Sequence, residues 1–289
     1  MELELKKECL DTYELGEPQT LTQEETAETI VLDYCPDIAR IISAEGVVCL
    51  HGGTEQDGVT GTVRVTVLYT PENESGVRAL EFAMPFSAQG EGLAGCAHVV
   101  VETEIELLES RMLNPRKIFT RCKLVTHLAG CRKVCLTISS DAETDPALLV
   151  EKRCCGQTVS LLRQVAEKDL TFSETMSLSL GREGAAELLH CRANGIVTET
   201  KAIGNKLIFK GVFLVSALYR TIGGQLASAS AELPFSQIME TDSTEENTQV
   251  SMRLRITGTD IQIDGSDDEG RQLSVTVYYH TMAFLRETR

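Results

Sequence analysis

Gly61-Thr62-Val63-Arg64-Val65-Thr66-Val67-Leu68-Tyr69 decides the fold. In an extended chain Val63, Val65, Val67 and Tyr69 fall on one side, and Thr62, Arg64 and Thr66 on the other. A period of two means one face buried and one wet, the habit of antiparallel sheets. The pattern recurs outward from this stretch. Residues 99–107 set Val99, Val101, Ile105 and Leu107 against Glu102, Glu104 and Glu106. Residues 118–128 set Ile118, Cys122, Leu124 and Leu128 against Arg121 and Lys123. Further on, 207–219 reads as a long strand, Val250, Met252, Leu254 and Ile256 alternate with Ser251, Arg253 and Arg255, and Leu273, Val275, Val277 and Tyr279 alternate with Ser274, Thr276 and Tyr278. Gln56-Asp57-Gly58, Glu72-Asn73-Glu74-Ser75-Gly76, Ile203-Gly204-Asn205 and Ile222-Gly223-Gly224 supply hairpin-type turns between such runs.

The chain also repeats itself. Leu3-Glu4-Leu5-Lys6-Lys7-Glu8-Cys9 returns as Leu149-Val150-Glu151-Lys152-Arg153-Cys154-Cys155, and Glu45-Gly46-Val47-Val48 as Asn194-Gly195-Ile196-Val197. Leu68-Tyr69 returns as Leu218-Tyr219, and Pro85-Phe86-Ser87 as Pro234-Phe235-Ser236. Four landmarks in one order, 146 to 150 residues apart, indicate a duplicated domain rather than a short-repeat solenoid. The reading is two domains, 1–146 and 147–289, with the seam near Asp145-Pro146.

One short helix per copy is expected. Residues 35–46 carry Pro36 and Asp37 at the start, Ile38, Ile41 and Ile42 at helical spacing, and Gly46 at the end. Residues 183–193 offer Leu188 and Leu189 with Gly195 beyond. The fold class is therefore mainly β: two tandem β-sandwich or barrel-like domains, each with one short helix.

Composition narrows the function. Lys and Arg total 27 against 43 for Asp and Glu, a formal charge of −16. That opposes general binding to nucleic acid or anionic lipid, which must be met by clustered positive charge. Trp is absent and aromatics are 5%, so Val, Ile and Leu are expected to do most of the packing, and a carbohydrate-binding module lacks its usual aromatic platform. No apolar run reaches bilayer length and the N-terminus has no signal-peptide core, so a cytoplasmic origin is expected. The ten cysteines are then expected to be mostly reduced packing residues. Cys131-Arg132-Lys133-Val134-Cys135 is a weak metal hint without a second ligand pair.

No nucleophile elbow, phosphate loop, zinc-protease or dinucleotide motif occurs. His51, His98, His127, His190 and His280 stand at no recognised metal spacing and read as structural. Glu240, Asp242, Glu245 and Glu246, and Asp264, Asp267, Asp268 and Glu269, read as solvated loops before calcium sites, because the usual ligand pattern is missing. The repeated landmarks are apolar and turn-forming. The duplication thus transmits architecture, and a non-enzymatic scaffold or multi-point binder without cofactor or metal is expected. Partner contact is expected at exposed strand edges or at hydrophobic patches between the copies.

Asp33-Tyr34-Cys35-Pro36-Asp37-Ile38-Ala39-Arg40-Ile41-Ile42-Ser43-Ala44-Glu45-Gly46, Val65-Thr66-Val67-Leu68-Tyr69, Met84-Pro85-Phe86-Ser87 and Leu113-Asn114-Pro115-Arg116-Lys117 together resemble the SPOCS domain (DUF3794) of spore-forming Firmicutes. The resemblance covers most of the first copy. The second copy is the divergent one, keeping Leu218-Tyr219 and Pro234-Phe235-Ser236 but not the other strings. The family-motif residues are Asp33, Tyr34, Pro36, Asp37, Arg40, Tyr69, Pro85, Phe86, Asn114, Pro115, Tyr219, Pro234 and Phe235, with Arg40 expected to pair with Asp37 or Glu45. The resemblance implies a mother-cell protein that ends at the forespore surface and binds an ATPase-type spore coat morphogenesis protein during encasement. Such relatives often end in a LysM module, and no LysM-like segment follows the last strand here. The alternative is a self-assembling coat or spore-surface filament subunit, cross-linked by cysteines.

Overall fold

The computed structural model describes residues 4–51, 58–143, 151, 153, 156–178, 183–242, 244, 247–264 and 271–288. The strands are β1 (Glu4–Leu15), β2 (Gln19–Ile30), β3 (Ile38–His51), β4 (Gly58–Pro71), β5 (Arg78–Gln89), β6 (His98–Asn114), β7 (Lys117–Glu143), β8 (Ser160–Ser177), β9 (Ala185–Ile203), β10 (Lys206–Thr221), β11 (Leu226–Glu240), β12 (Gln249–Ile263) and β13 (Gln272–Thr288). Every ladder between them is antiparallel.

One topology occurs twice. In the first half β7 lies between β2 and β6, and β4 between β3 and β5. In the second half β13 lies between β8 and β12, and β10 between β9 and β11. The two sheets of each half pack face to face. Val63, Val65, Val67 and Tyr69 of β4 and Leu80, Met84 and Phe86 of β5 bury against Ile118, Cys122, Leu124 and Leu128 of β7. Phe209, Phe213, Val215 and Tyr219 of β10 bury against Leu273, Val275, Val277 and Tyr279 of β13. Each such side chain contributes about 1.5–3 kcal/mol by leaving water. The second core is more aromatic than composition suggested: Phe213 lies 4.6 Å from Phe235 and 5.1 Å from Tyr279, centroid to centroid. The proposed seam at residues 146 and 147 lies outside the described residues.

The repeated landmarks have structural jobs. Gly61 faces Phe86 across the β4–β5 ladder, and Gly211 faces Phe235 across β10–β11. A Cβ on Gly61 would meet the Phe86 ring at 2.5 Å, and one on Gly211 would meet Phe235 at the same distance, so each phenylalanine lies over a bare backbone. Gly46 and Gly195 mark where the two sheets of each half approach. A Cβ there would meet Ile105 Cδ1 at 2.7 Å or Leu254 Cδ2 at 2.5 Å.

Among the described residues there is no helix, and both expected helices are strands. The cause is a pair of β-bulges that imitates helical spacing. In β3 the partners step from Ile38–Pro71 to Arg40–Thr70, and from Ile41–Tyr69 to Ser43–Leu68. The extra residues at 39 and 42 bring Ile38 and Ile41, three apart, to the same face. In β9 the same two steps fall between Ala185–Thr221 and Glu187–Arg220, and between Leu188–Tyr219 and His190–Leu218. A smaller correction affects β6. A bulge between Ile105 and Leu107 turns Leu107 outward, and Leu108 packs against the core instead.

Among the described residues β1 has no counterpart in the second half. It continues the β2 edge of β7, with Leu15 opposite Cys131 and Gln19 opposite Leu128. Exposed Cys9 and Cys135 form a disulfide that ties β1 to β7. Adjacent antiparallel strands put these two residues within bonding reach, at a Cα separation of 5.7 Å. Cys49, Cys122 and Cys131 are free and buried. The string beginning at Leu3 leads into β1, and the one beginning at Leu149 lies mainly outside the described residues.

Candidate functional site

The motif strings of the first half meet at one apex. The turn from β6 to β7 carries Arg116, whose guanidinium reaches the 31–37 loop between β2 and β3. Its Nη1 donates to Cys35 O at 2.9 Å and to Asp37 Oδ1 at 2.8 Å. Its Nη2 donates to Val31 O at 3.1 Å, Leu32 O at 3.2 Å and Asp33 Oδ1 at 3.3 Å. A planar fork of donors suits this set of acceptors, where a point-like ammonium could not reach them all. The Asn114 side-chain oxygen accepts the Arg116 backbone N–H at 2.9 Å and shapes the turn. Backbone bonds close the corner: Val31 N–H donates to Arg116 O, and Ile38 N–H to Pro115 O, each at 2.9 Å. Tyr69, fully buried in β4, donates its hydroxyl to Pro36 O at 3.2 Å. Burial pushes that phenol up to about 12, so it remains a donor.

This clamp leaves apolar side chains facing outward. Tyr34 is 83% exposed and Ile30 66%, with Leu32, Met112 and Leu113 also exposed. A loop with so many backbone carbonyls bonded holds its shape, so Tyr34 stands on a fixed mount.

The thirteen motif residues divide by role. Asp33, Asp37, Asn114 and the Pro36 and Pro115 carbonyls join the clamp with Tyr69, while Tyr34 is displayed by it. Arg40 lies in β3, where its carbonyl accepts from Thr70 Oγ1 at 3.3 Å. Its expected pairings are replaced, since Asp37 bonds Arg116 and Glu45 approaches His190 at 3.0 Å. Phe86, Phe235 and Tyr219 are core residues. Pro85 and Pro234 sit in edge strands β5 and β11. A proline is tolerated in a ladder where its nitrogen faces away from the neighbour, so both guard the open edge against further pairing. Part of the corner exists in the second half, although the motif strings do not. Leu178 N–H donates to Arg271 O at 2.7 Å, as Val31 does to Arg116 O. Ile222 N–H donates to Gly184 O at 3.0 Å, as Glu72 does to Asp37 O.

A second cluster lies on the seam between the halves and had no signal in the sequence. His98 of β6 bonds Glu167 of β8 through Nδ1. His280 of β13 stands 3.5 Å from the other Glu167 oxygen through Nε2 and 2.8 Å from Asp169 through Nδ1. Two acceptors on one imidazole favour its doubly protonated form, and His280 is held above its ordinary value chiefly by the Glu167 hydrogen bond. For Glu167, burial acts to raise the pKa, but the hydrogen bonds from His280 and His98 outweigh it and the net shift is downward. Arg255 Nη1 donates to Val101 O at 3.3 Å, while burial lowers its pKa against the opposing fields of Asp169 and Glu167. These groups border a cavity of about 540 Å³. Elsewhere between the halves Arg64 bonds Thr259 O at 2.9 Å, Arg78 pairs with Glu187 at 3.1 Å, and Val100 and Cys131 pack against Leu162, Val165, Met282 and Phe284.

Among the described residues no group of three or more His, Cys, Asp and Glu is arranged to hold a metal. Glu245, Glu246, Asp267, Asp268 and Glu269 lie outside the described residues. No described helix could cross a membrane.

Together the fold and apex define a tandem β-sandwich protein in which one half displays a clamped loop. Residues 185–264 match the family model described as SipL, SPOCS domain, so this segment is similar to a SPOCS domain. The matched segment begins with β9 and ends just after β12, in the half whose motif strings resembled the family less. The shared bulges, turns and corner bonds give the two halves a common structural frame. No curated protein and no solved structure matches the chain.

Proposed function

We propose that the chain is a non-enzymatic interaction and assembly protein of sporulation, which docks an ATPase-type spore coat morphogenesis protein while the forespore is encased. The apex carries the reading. Tyr34, 83% exposed, and its apolar neighbours are presented on a loop that Arg116 ties through five hydrogen bonds. An exposed, pre-ordered aromatic with aliphatic neighbours is the chemistry of a protein-binding anchor, because little conformational freedom is left to lose on docking. The SPOCS match supports the setting. The test is capture of partners from sporulating cells by the full chain and by a Tyr34→Ala/Leu32→Ser variant. The ATPase should accompany the first and be depleted at least tenfold with the second, at unchanged circular dichroism. Equal recovery with both would remove the apex from the contact.

A further inference from the structure

We propose that this chain associates head to tail with further copies of itself, the second half of one copy holding the first half of the next through a repeat of the contact that joins its own two halves.

That internal contact joins two different surfaces. The first half brings the outer face of β3 and β4, where Arg64 donates to Thr259 O at 2.9 Å and Glu45 stands 3.0 Å from His190. The second half brings a corner of β9 and β12. Cys49, on the outer face of β3, and Leu189, the extra residue of a β9 bulge, line the same gap of about 650 Å³ between the halves. Cys49 is 6% exposed and Leu189 1%, yet among the described residues neither joins the core cluster of its own half. The ladders identify their twins. Cys49 stands opposite Thr62, and Thr62 opposite Pro85, while Ile196 stands opposite Val212, and Val212 opposite Pro234. Leu189 falls in the register step between Leu188–Tyr219 and His190–Leu218, and Ile42 in the step between Ile41–Tyr69 and Ser43–Leu68.

Both twins are uncovered and apolar. Ile196 is 48% exposed and Ile42 51%, and Leu214, which follows Val212 by two residues as Arg64 follows Thr62, is exposed as well. The internal contact therefore shows what covers each of them. The Ile196 face of one copy corresponds to the Cys49 face that already holds a second half, and the Ile42 corner corresponds to the Leu189 corner that is already held. Seating the one on the other repeats a contact the chain makes within itself, and removes from water two isoleucines that neither half buries alone. Because the two surfaces differ, each added copy brings one fresh surface of each kind, so association continues past a pair unless the rotation closes a ring. The β1 strand supports the internal contact through Thr12 Oγ1, which donates to Leu162 O at 3.1 Å. With no described counterpart of β1 in the second half, the contact between copies is the weaker of the two.

The test is sedimentation velocity on the full chain at high micromolar concentration, where the unaltered chain should form species larger than a monomer in a concentration-dependent way. Ile196→Asp spoils one surface and Ile42→Asp the other, and each alone should weaken association about tenfold. At a concentration where both variants are monomeric, their equimolar mixture should give a dimer and nothing larger, since only one intact pair of surfaces remains. Should either variant lose its circular dichroism signal, Leu214→Lys replaces the first and Ile42→Lys the second, with the same expected results. A monomeric unaltered chain, variants that associate as the unaltered chain does, or a mixture that stays monomeric would overturn the proposal. Partner capture through Tyr34 is read separately, so either result leaves the apex reading to its own experiment.

Discussion

Arg116 Nη1 sits 2.8 Å from Asp37 Oδ1, joining the β6–β7 turn to the loop that enters β3. Five acceptors converge on this one guanidinium, two of them carboxylates, and one of these, Asp37, is the residue expected to pair with Arg40. The hydrogen bond to Asp37 is also the leading reason that Arg116 binds its proton more firmly than usual.

Replacing Arg116 by lysine should loosen the apex without unfolding the sandwich. An ammonium keeps the charge but cannot span Cys35 O, Val31 O and Asp37 together. Hydrogen exchange should rise over residues 31–38 and stay unchanged in β4 and β7, with weaker partner capture. Unchanged exchange in that loop would show that the clamp does not order it.

The two halves place equivalent tyrosines in unequal settings. Tyr69 donates to Pro36 O, while among the described residues the buried Tyr219 hydroxyl meets no partner. Tyr69→Phe should therefore cost about 0.5–1.5 kcal/mol, and Tyr219→Phe should be close to neutral. Urea denaturation of the two variants checks the difference, and equal losses would contradict it.

Gly195 and Gly46 have no room for a side chain. A methyl at 195 would press on Leu254 Cδ2 at 2.5 Å and on Phe213 at 2.9 Å. Gly195→Ala should cost about 1–3 kcal/mol by overpacking the sheet approach, with Gly46→Ala in the same direction. The readout is the urea midpoint at constant slope.

The seam should respond to pH. His280 is raised above 6.5, so its contribution is fully present below 6.5 and is lost as pH climbs through the folded value. Glu167 is lowered below 4.5, so its contribution is present above 4.5 and is lost as pH falls through the folded value. With His98, Asp169, Lys168 and Arg255 around them, the halves should be held best between pH 4.5 and 6.5. Urea stability measured across pH should peak in that window, and Glu167→Gln should flatten the profile. A profile the variant leaves unchanged would remove this cluster from the linkage.

The alternation of Val63, Val65, Val67 and Tyr69 was legible because a half-buried strand writes its environment into every second residue. The bulged strands β3 and β9 were misread for the same reason: each extra residue breaks the period of two, and two breaks close together leave a helical spacing. The apex was half legible. Its strings stood out, yet the partner of Asp37 lies 79 residues away and belongs to a turn whose role no local pattern reveals. The seam cluster was not legible at all, because His98 and Glu167, 69 residues apart, become neighbours only when one half docks on the other.

By itself the sequence determined a strand-built, duplicated, acidic chain, since periodicity, landmark spacing and charge are properties of residue order. The tertiary structure decided which strands bulge, which arginine holds the displayed loop, and which acidic and imidazole groups meet at the seam. Those outcomes depend on distances between residues far apart in the chain, and such distances are fixed only when sheets pack and ladders choose their register.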